Sequence, residues 1–185
     1  YKLHMGKTFL LIFFVSLSAH SWAQPLDGQR YADSLNTVLE QSTSDSIKAR
    51  TYFRLSQFWR KDILKAKPYL EKGKSIAKEN PYIQALSYFY LGQLYVNSDL
   101  EKSESAFMKA DKELSRFATK EAFLLRAMSW SNYGGLQQQK DHYEATADIL
   151  INKVIPLGEK SGDSLYVGRK YADLGLMFRN LEQFD

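Results

Sequence analysis

The amino-acid sequence predicts an all-α protein made of antiparallel helical hairpins stacked on one another. A short pattern returns four times along the chain: a Leu or Tyr, then a small residue, then an aromatic residue or Gln three positions later. Strand-like alternation of apolar and polar residues is absent from the sequence. The spacing between copies, 36 to 42 residues, is typical of stacked helical hairpins. The four copies are Leu55-Ser56…Trp59, Leu91-Gly92…Tyr95, Tyr133-Gly134…Gln137 and Leu174-Gly175…Phe178.

A second pattern of small, large and small residues follows the first copies. Offsets of four and seven put these residues on one helix face, where small residues let two antiparallel helices approach and large ones fill the space between them. The third copy fits only in part, with Ala145 and Ile149 in place but Asn152 where a small residue is expected. The two full copies read Ala66…Leu70…Gly73 and Ser103…Phe107…Ala110.

Together these patterns resemble a tetratricopeptide repeat (TPR) array, in which each repeat is a hairpin of two helices. The copy that begins at Leu91-Gly92 and ends at Phe107…Ala110 carries the resemblance most fully. The resemblance implies a right-handed α-α superhelix, here a TPR-like solenoid of about three and a half repeats behind a leading helix. These repeats are longer than the usual ~34 residues, which predicts extended second helices. The predicted repeats are residues 45–80, 81–119, 120–162 and an incomplete 163–185.

Each helix has its own start and stop signals. Residues 24–44 predict a leading helix, over residues 27–41, and a polar turn. The first repeat predicts one helix that ends near Arg60 and a second over residues 63–79. Asn80-Pro81 marks the next boundary, because Asn caps a helix and Pro is tolerated in its first turn. A long second helix is expected over residues 141–160, and the remaining turns are predicted at residues 97–99, 140–141 and 161–163.

The N-terminus predicts a targeting segment. Lys7 precedes an apolar run over residues 9–17, and Ser21-Trp22-Ala23 ends in the small residues that a signal peptidase needs. Residues 1–23 are therefore interpreted as a signal peptide, with residues 1–4 an extension upstream of Met5. An uncleaved anchor is the alternative. With no cysteine in the chain, a lipid-anchored cysteine and disulfides are excluded, and the periplasm of a Gram-negative cell is the expected location.

Composition and motifs argue against several functions. The net charge of +4 includes two leader lysines, so the rest is nearly neutral and no nucleic-acid partner is expected. His142 is the single histidine after the leader and cannot build a zinc site or a catalytic triad alone. Gly73-Lys74-Ser75 lacks the earlier glycine of a phosphate-binding loop. We expect no catalytic residue, metal or cofactor in this segment, although a kinase domain could follow Asp185.

One hairpin is unusually basic. Residues 48–78 hold ten basic side chains against Asp62 and Glu71. This bias has two interpretations: a basic surface that binds an anionic partner, or basic residues divided over two solvent-exposed sides of the helix without a partner.

The resemblance to TPR arrays also implies a binding groove along the first helix of each repeat. Mixed aromatic, amide and Arg surface suits a protein or peptide partner. Phe53, Phe89 and Met128 could instead pack between adjacent repeats. The predicted groove residues are Arg50, Phe53, Gln57, Arg60, Leu86, Phe89, Gln93, Asn97, Met128, Ser131, Gln138, Arg169 and Arg179.

A narrower resemblance concerns the start of the repeats. A polar turn around Asp45-Ser46 that follows a signal peptide and a short helix is similar to exported TPR sensor proteins of Bacteroidetes-type bacteria. It implies the periplasmic sensing region of a signalling protein such as a sensor histidine kinase. Residues 181–185 resemble the turn between two helices of a repeat. We therefore expect this chain to be the N-terminal fragment of a longer protein, associated with a membrane only through a possible transmembrane helix further along that protein. The alternative is a freestanding periplasmic scaffold without signalling output.

Overall fold

The structure, a computed structural model, describes residues 28–181, and within that range it is helical without a strand. The all-α prediction is confirmed for this range. The predicted signal peptide (1–23) and the last residues (182–185) lie outside it. The helices are α1 (Gly28–Gln41), α2 (Asp45–Phe58), α3 (Ile63–Ile76), α4 (Pro81–Tyr95), α5 (Leu100–Leu114), α6 (Lys120–Gln138), α7 (Tyr143–Ile149), a π-helical segment (Leu150–Val154), α8 (Ile155–Ser161) and α9 (Ser164–Leu181).

Consecutive helices form antiparallel hairpins. The Ser103 hydroxyl, early in α5, donates to the carbonyl of Gly92, late in α4, over 2.9 Å. The Thr146 hydroxyl, early in α7, donates to the carbonyl of Gly134, late in α6, over 3.0 Å. Glycine permits this close approach: a Cβ on Gly92 would lie 2.6 Å from the Phe107 ring. The small-residue pattern predicted this packing for the second hairpin.

The hairpins share one continuous core. Besides its hairpin partner, α4 contacts α2, α3 and α6, and α5 contacts α6. Phe53, Leu70 and Phe107 are completely buried in this core, and Ile83 and Phe89 are nearly so. The leading helix α1 contacts α2 and buries Ala32 and Leu35 against Leu55 in a smaller cluster.

Helix starts follow local capping chemistry. The Asn80 side chain accepts hydrogen bonds from the backbone N–H groups of Tyr82 and Ile83, both at 3.1 Å, and Pro81 occupies the first turn. The predicted boundary at Asn80-Pro81 is therefore correct. Ser44, Asp62, Asp99 and Thr119 cap α2, α3, α5 and α6 in the same way. The two helices of the first hairpin end two to three residues earlier than predicted, at Phe58 and Ile76.

The third hairpin differs from the prediction. Thr146 and Leu150 are buried, whereas Ala145 and Asn152 are exposed. The pattern predicted from Ala145, Ile149 and Asn152 is therefore wrong by about one residue. The long helix predicted over residues 141–160 begins at Tyr143 and changes to π-helical hydrogen bonding, in which the Ile155 N–H bonds to the carbonyl of Leu150. Pro156 explains this, because it has no N–H and its ring crowds the carbonyl four residues earlier.

The last turn ends on glycine. Gly162 adopts the left-handed conformation, with φ of 76°, that commonly follows a helix end. The following helix, α9, packs against α7, the π segment and α8. None of the helices within residues 28–181 has the length and apolar character needed to cross a bilayer.

Candidate functional site

The first helices of the three hairpins lie side by side and are tied together by one polar group. The Arg50 guanidinium on α2 donates two hydrogen bonds to the Glu121 carboxylate at the start of α6, of 2.5 and 2.9 Å. The Tyr82 hydroxyl, at the start of α4, donates to the same carboxylate over 2.7 Å. We call the surface of α2, α4 and α6 that carries Arg50, Tyr82 and Glu121 the first-helix face. Three consecutive hairpins thus contribute to one continuous surface.

The electrostatics of this group follow from the shared carboxylate. Hydrogen bonds from Arg50 lower the pKa of Glu121 against a smaller opposing effect of burial. Burial, together with the hydrogen bond to Glu121, raises the pKa of Tyr82 to about 12. The hydrogen bond to Glu121 also raises the pKa of Arg50. The carboxylate is therefore ionised and the phenol neutral over the ordinary pH range.

A second contact links the first two hairpins further along the same face. The Gln57 amide on α2 donates to the Gln93 amide oxygen on α4 over 2.6 Å. Both residues belong to the predicted groove, and the structure brings them together.

Three predicted groove residues are buried, and assigning them to ligand contact was wrong. Phe53 is 0% exposed, and Leu86 and Phe89 are 1% and 2% exposed. They are buried in the shared core: the Phe53 ring stacks on Tyr90 of the next hairpin, and the Phe89 ring tilts against Phe107 within its own hairpin. The contact of Phe53 with Tyr90 fits the alternative interpretation, packing between repeats. Met128 is half-buried and packs against the same core.

The remaining predicted residues are accessible but scattered. Arg60, Asn97 and Gln138 are exposed near the ends of α2, α4 and α6. Arg169 and Arg179 are exposed on α9, and no contact within the described range joins them to Arg50.

Ser131 is half-buried on α6 next to the phenol of Tyr166 on α9. The Tyr166 hydroxyl is buried and has no hydrogen-bond partner among the described residues. Burial raises the pKa of Tyr166 to about 12, and the neighbouring Ser131 hydroxyl reduces the shift.

Sequence reasoning missed four residues of this face: Arg54, Tyr82, Tyr90 and Glu121. Arg54 follows Arg50 by one helical turn and could have been found from that spacing. Glu121 could not, because it lies 71 residues from Arg50 in the chain. Burial raises the pKa of Tyr90, and the nearby positive charges of Arg54 and Arg50 oppose that shift.

Within the hairpins, lysines of the second helix lie over aromatic rings of the first helix. Each of the first two hairpins has two such pairs, and the lysines are seven residues apart, as are the rings. A cation over a ring face is attracted by the ring's negative charge density. Lys65 and Lys72 are held in this way in the first hairpin, and Arg50 of the same hairpin lies over the Tyr82 ring. The pairs are Lys65 with Trp59, Lys72 with Tyr52, Lys102 with Tyr95, Lys109 with Tyr88 and, in the third hairpin, Lys153 with Trp130.

Acid and imidazole groups are dispersed. Over residues 28–181, no three side chains of His, Asp or Glu lie close enough together to hold a metal ion. His142 is exposed immediately before α7 and lies 3.3 Å from the Gln137 amide oxygen.

Comparison with known proteins identifies no relative. No protein-family model, no curated protein and no solved structure matches this chain significantly.

Proposed function

We propose that the chain is a TPR-like solenoid that binds a protein or peptide partner on its first-helix face. The observation that carries this proposal is the Arg50–Glu121 pair with Tyr82, which joins the first helices of three hairpins. A surface carried by three neighbouring helices suits an extended segment, which such a surface contacts at several points. The repeated small-residue contacts, such as Ser103 with Gly92, support the TPR-like interpretation.

The chemistry of the first-helix face suits a peptide. Arg54 and Asn97 are exposed there, and Gln57, Tyr90 and Gln93 are half-buried. Aromatic rings supply contact area at low entropic cost, while Arg and amide groups supply hydrogen bonds to a peptide backbone or carboxylate.

We further propose that this scaffold is the exported sensing region of a larger signal-transduction protein, similar to a sensor histidine kinase. The signal-peptide features of residues 1–23 and the narrower sequence resemblance support this part. A freestanding periplasmic scaffold is the alternative.

A peptide-display selection against the full chain tests the binding proposal. We expect the variant Arg54→Ala/Asn97→Ala to weaken the selected peptides about tenfold or more, because it removes exposed groups of the first-helix face. The control Lys112→Ala/Ser105→Ala removes exposed groups from α5 and should leave affinity unchanged. Peptides that respond equally to both variants would contradict the proposal.

Two measurements test the cellular proposal. Residues 1–23 fused to a reporter active only in the periplasm should give signal, and loss of the basic and apolar residues should abolish it. The DNA downstream of the codon for Asp185 should encode a membrane-spanning helix followed by a kinase or DNA-binding domain. A stop codon after one or two more repeats would favour the freestanding scaffold.

A further inference from the structure

A basic depression lies between the leading helix α1 and the second half of α2. Its volume is about 280 Å³. Arg60, at one end, belongs to the predicted groove, and Gln57 is held by Gln93 on the first-helix face. The lining residues are Tyr31, Arg54, Gln57, Phe58, Arg60 and Lys61.

The charge of this depression is unbalanced. Three of its lining residues are cations and none is an acid. Arg54, Arg60 and Lys61 form no ion pair within residues 28–181. The eight ion pairs in that range all involve other residues. By contrast, Arg50, one turn before Arg54, is fully engaged with Glu121.

The nearby acids have other partners. The Asp62 carboxylate accepts the backbone N–H of Lys65, which starts α3. The Glu121 carboxylate, whose pKa responds to Arg54 as well, is already bound by Arg50 and Tyr82. Among residues 28–181, neither the Asp62 nor the Glu121 carboxylate forms an ion pair with Arg54, Arg60 or Lys61.

The cations are also not needed to finish α2. The last carbonyls of that helix are satisfied by the backbone, since the Trp59 N–H bonds to the carbonyl of Leu55 over 3.0 Å and the Arg60 N–H to that of Gln57 over 3.3 Å. The side chains of Arg54, Arg60 and Lys61 make no hydrogen bond to a carbonyl among residues 28–181. Their side-chain donors are thus open to a ligand.

Neutral groups complete the lining. The Tyr31 ring is held against the Phe58 ring, with centroids 5.7 Å apart. The Gln57 amide is oriented by its hydrogen bond to Gln93. A phenol and an amide beside two guanidinium groups offer several N–H and O–H donors to a group that carries several acceptor oxygens.

We propose that this depression binds a small oxyanion with at least two negatively charged oxygens, such as inorganic phosphate or a short dicarboxylate. Guanidinium groups bind both classes through paired hydrogen bonds. The size supports a small ligand, because drug-sized ligands occupy pockets of roughly 300–1,000 Å³. The depression shares Arg54 and Gln57 with the first-helix face. A small oxyanion needs no peptide partner to bind there, so titration with free anions gives a result that does not depend on peptide binding.

Titration of the full chain tests the proposal. Phosphate, succinate and acetate are added separately at constant ionic strength, balanced with chloride, while backbone amide shifts are followed by NMR. We expect saturable shifts confined to α1, the end of α2 and the α2–α3 turn, with phosphate or succinate binding more tightly than acetate. The relative affinities identify which oxyanion class the site prefers.

Matched variants separate a built site from general charge attraction. Arg54→Gln/Arg60→Gln should weaken binding about tenfold or more, because it removes both guanidinium groups. Lys112→Gln/Lys160→Gln changes the net charge equally at exposed positions elsewhere and should leave binding within about twofold. If the arginine pair proves unstable by circular dichroism, Arg60→Gln and Lys61→Gln are measured singly and each should weaken binding.

Two results would overturn the proposal. One is the absence of saturable shifts for all three anions. The other is an equal loss in both double variants, which would show that the cations act only as a diffuse positive surface.

Discussion

Glu121 accepts hydrogen bonds from residues 71 and 39 positions earlier in the chain. Its carboxylate accepts hydrogen bonds from Arg50 on α2 and Tyr82 on α4. The side chains of Arg50 and Glu121 remain 33% and 46% exposed, so water weakens their attraction. The pair therefore contributes modestly to stability, and its larger effect is to align three helices.

Glu121→Gln should lower the free energy of unfolding by about 0.5–1 kcal/mol at pH 7. The pKa of Glu121 is lowered from 4.5 in the folded state, so its stabilisation is present above pH 4.5 and is lost as the pH falls through the folded value. Urea denaturation at several pH values measures this, and the difference between variant and wild type should disappear in acid.

The control is Glu113→Gln, which breaks an ion pair with Arg116 three residues away on the same helix end. That pair should contribute only about 0.3 kcal/mol. An equal effect of both substitutions would show that the contact between hairpins is no stronger than a local surface pair.

Gly92 shows how one missing side chain sets the distance between two helices. Gly92→Ala would place a Cβ 2.6 Å from the buried Phe107 ring. We therefore expect overpacking to lower the free energy of unfolding by about 1–3 kcal/mol. Gly135→Ala is the matched change, since nothing lies within 4 Å of the new methyl group. It should stabilise the protein by about 0.5–1 kcal/mol, because alanine loses less backbone entropy in a helix. Thermal unfolding measures both, and a stabilising Gly92→Ala would contradict the packing described.

At the scale of the helices, side-chain caps decide where each element begins. Within residues 28–181, six helices (α2 to α6 and α9) start after a residue whose side chain accepts a backbone N–H, and α7 starts after His142 without such a bond. Asn80 has a further role, since its amide donates to the Ser46 hydroxyl on α2 over 3.2 Å.

Asn80→Ala should therefore lower the free energy of unfolding by about 1–2 kcal/mol. This lies in the upper part of the range for losing a helix cap, because the hydrogen bond to Ser46 in the neighbouring hairpin is lost as well. Ser115→Ala serves as control: that hydroxyl donates only to the carbonyl of Lys112 at an exposed helix end. Its effect on the urea midpoint should be close to zero. Comparable losses in the two variants would mean that Asn80 does not cap α4 in solution.

Over residues 28–181, each helix contacts mainly the helices next to it. The central helices, α4 and α5, pack on both sides, whereas α1 contacts α2 alone. On α9, Leu165 and Tyr171 are 65% and 53% exposed. Stability in such an arrangement is a sum of neighbour contacts and is lowest at the ends.

Hydrogen exchange should accordingly be slowest for amides of α4 and α5 and fastest for those of α1 and α9. Mass spectrometry of peptic fragments over minutes to hours would measure this gradient. Equal protection of α9 and α4 would contradict a row of locally supported helices and would require one cooperative unit.

The sequence by itself determined the helical class, the helix start at Asn80-Pro81 and the close packing of the second hairpin. Those features depend on residues three, four and seven positions apart, whose relation holds wherever the helix lies. Capping residues such as Asn80 act over equally short distances.

Only the tertiary structure decided which side chains meet between hairpins. Arg50 and Glu121 are joined because α2 and α6 flank α4, and Phe53 is buried because neighbouring helices cover a face that the groove prediction had left open. In the third hairpin, Thr146 rather than Ala145 meets the backbone of Gly134, which no periodic pattern could show. These outcomes depend on how whole helices stack, and stacking is set by the combined shape of many side chains rather than by local spacing.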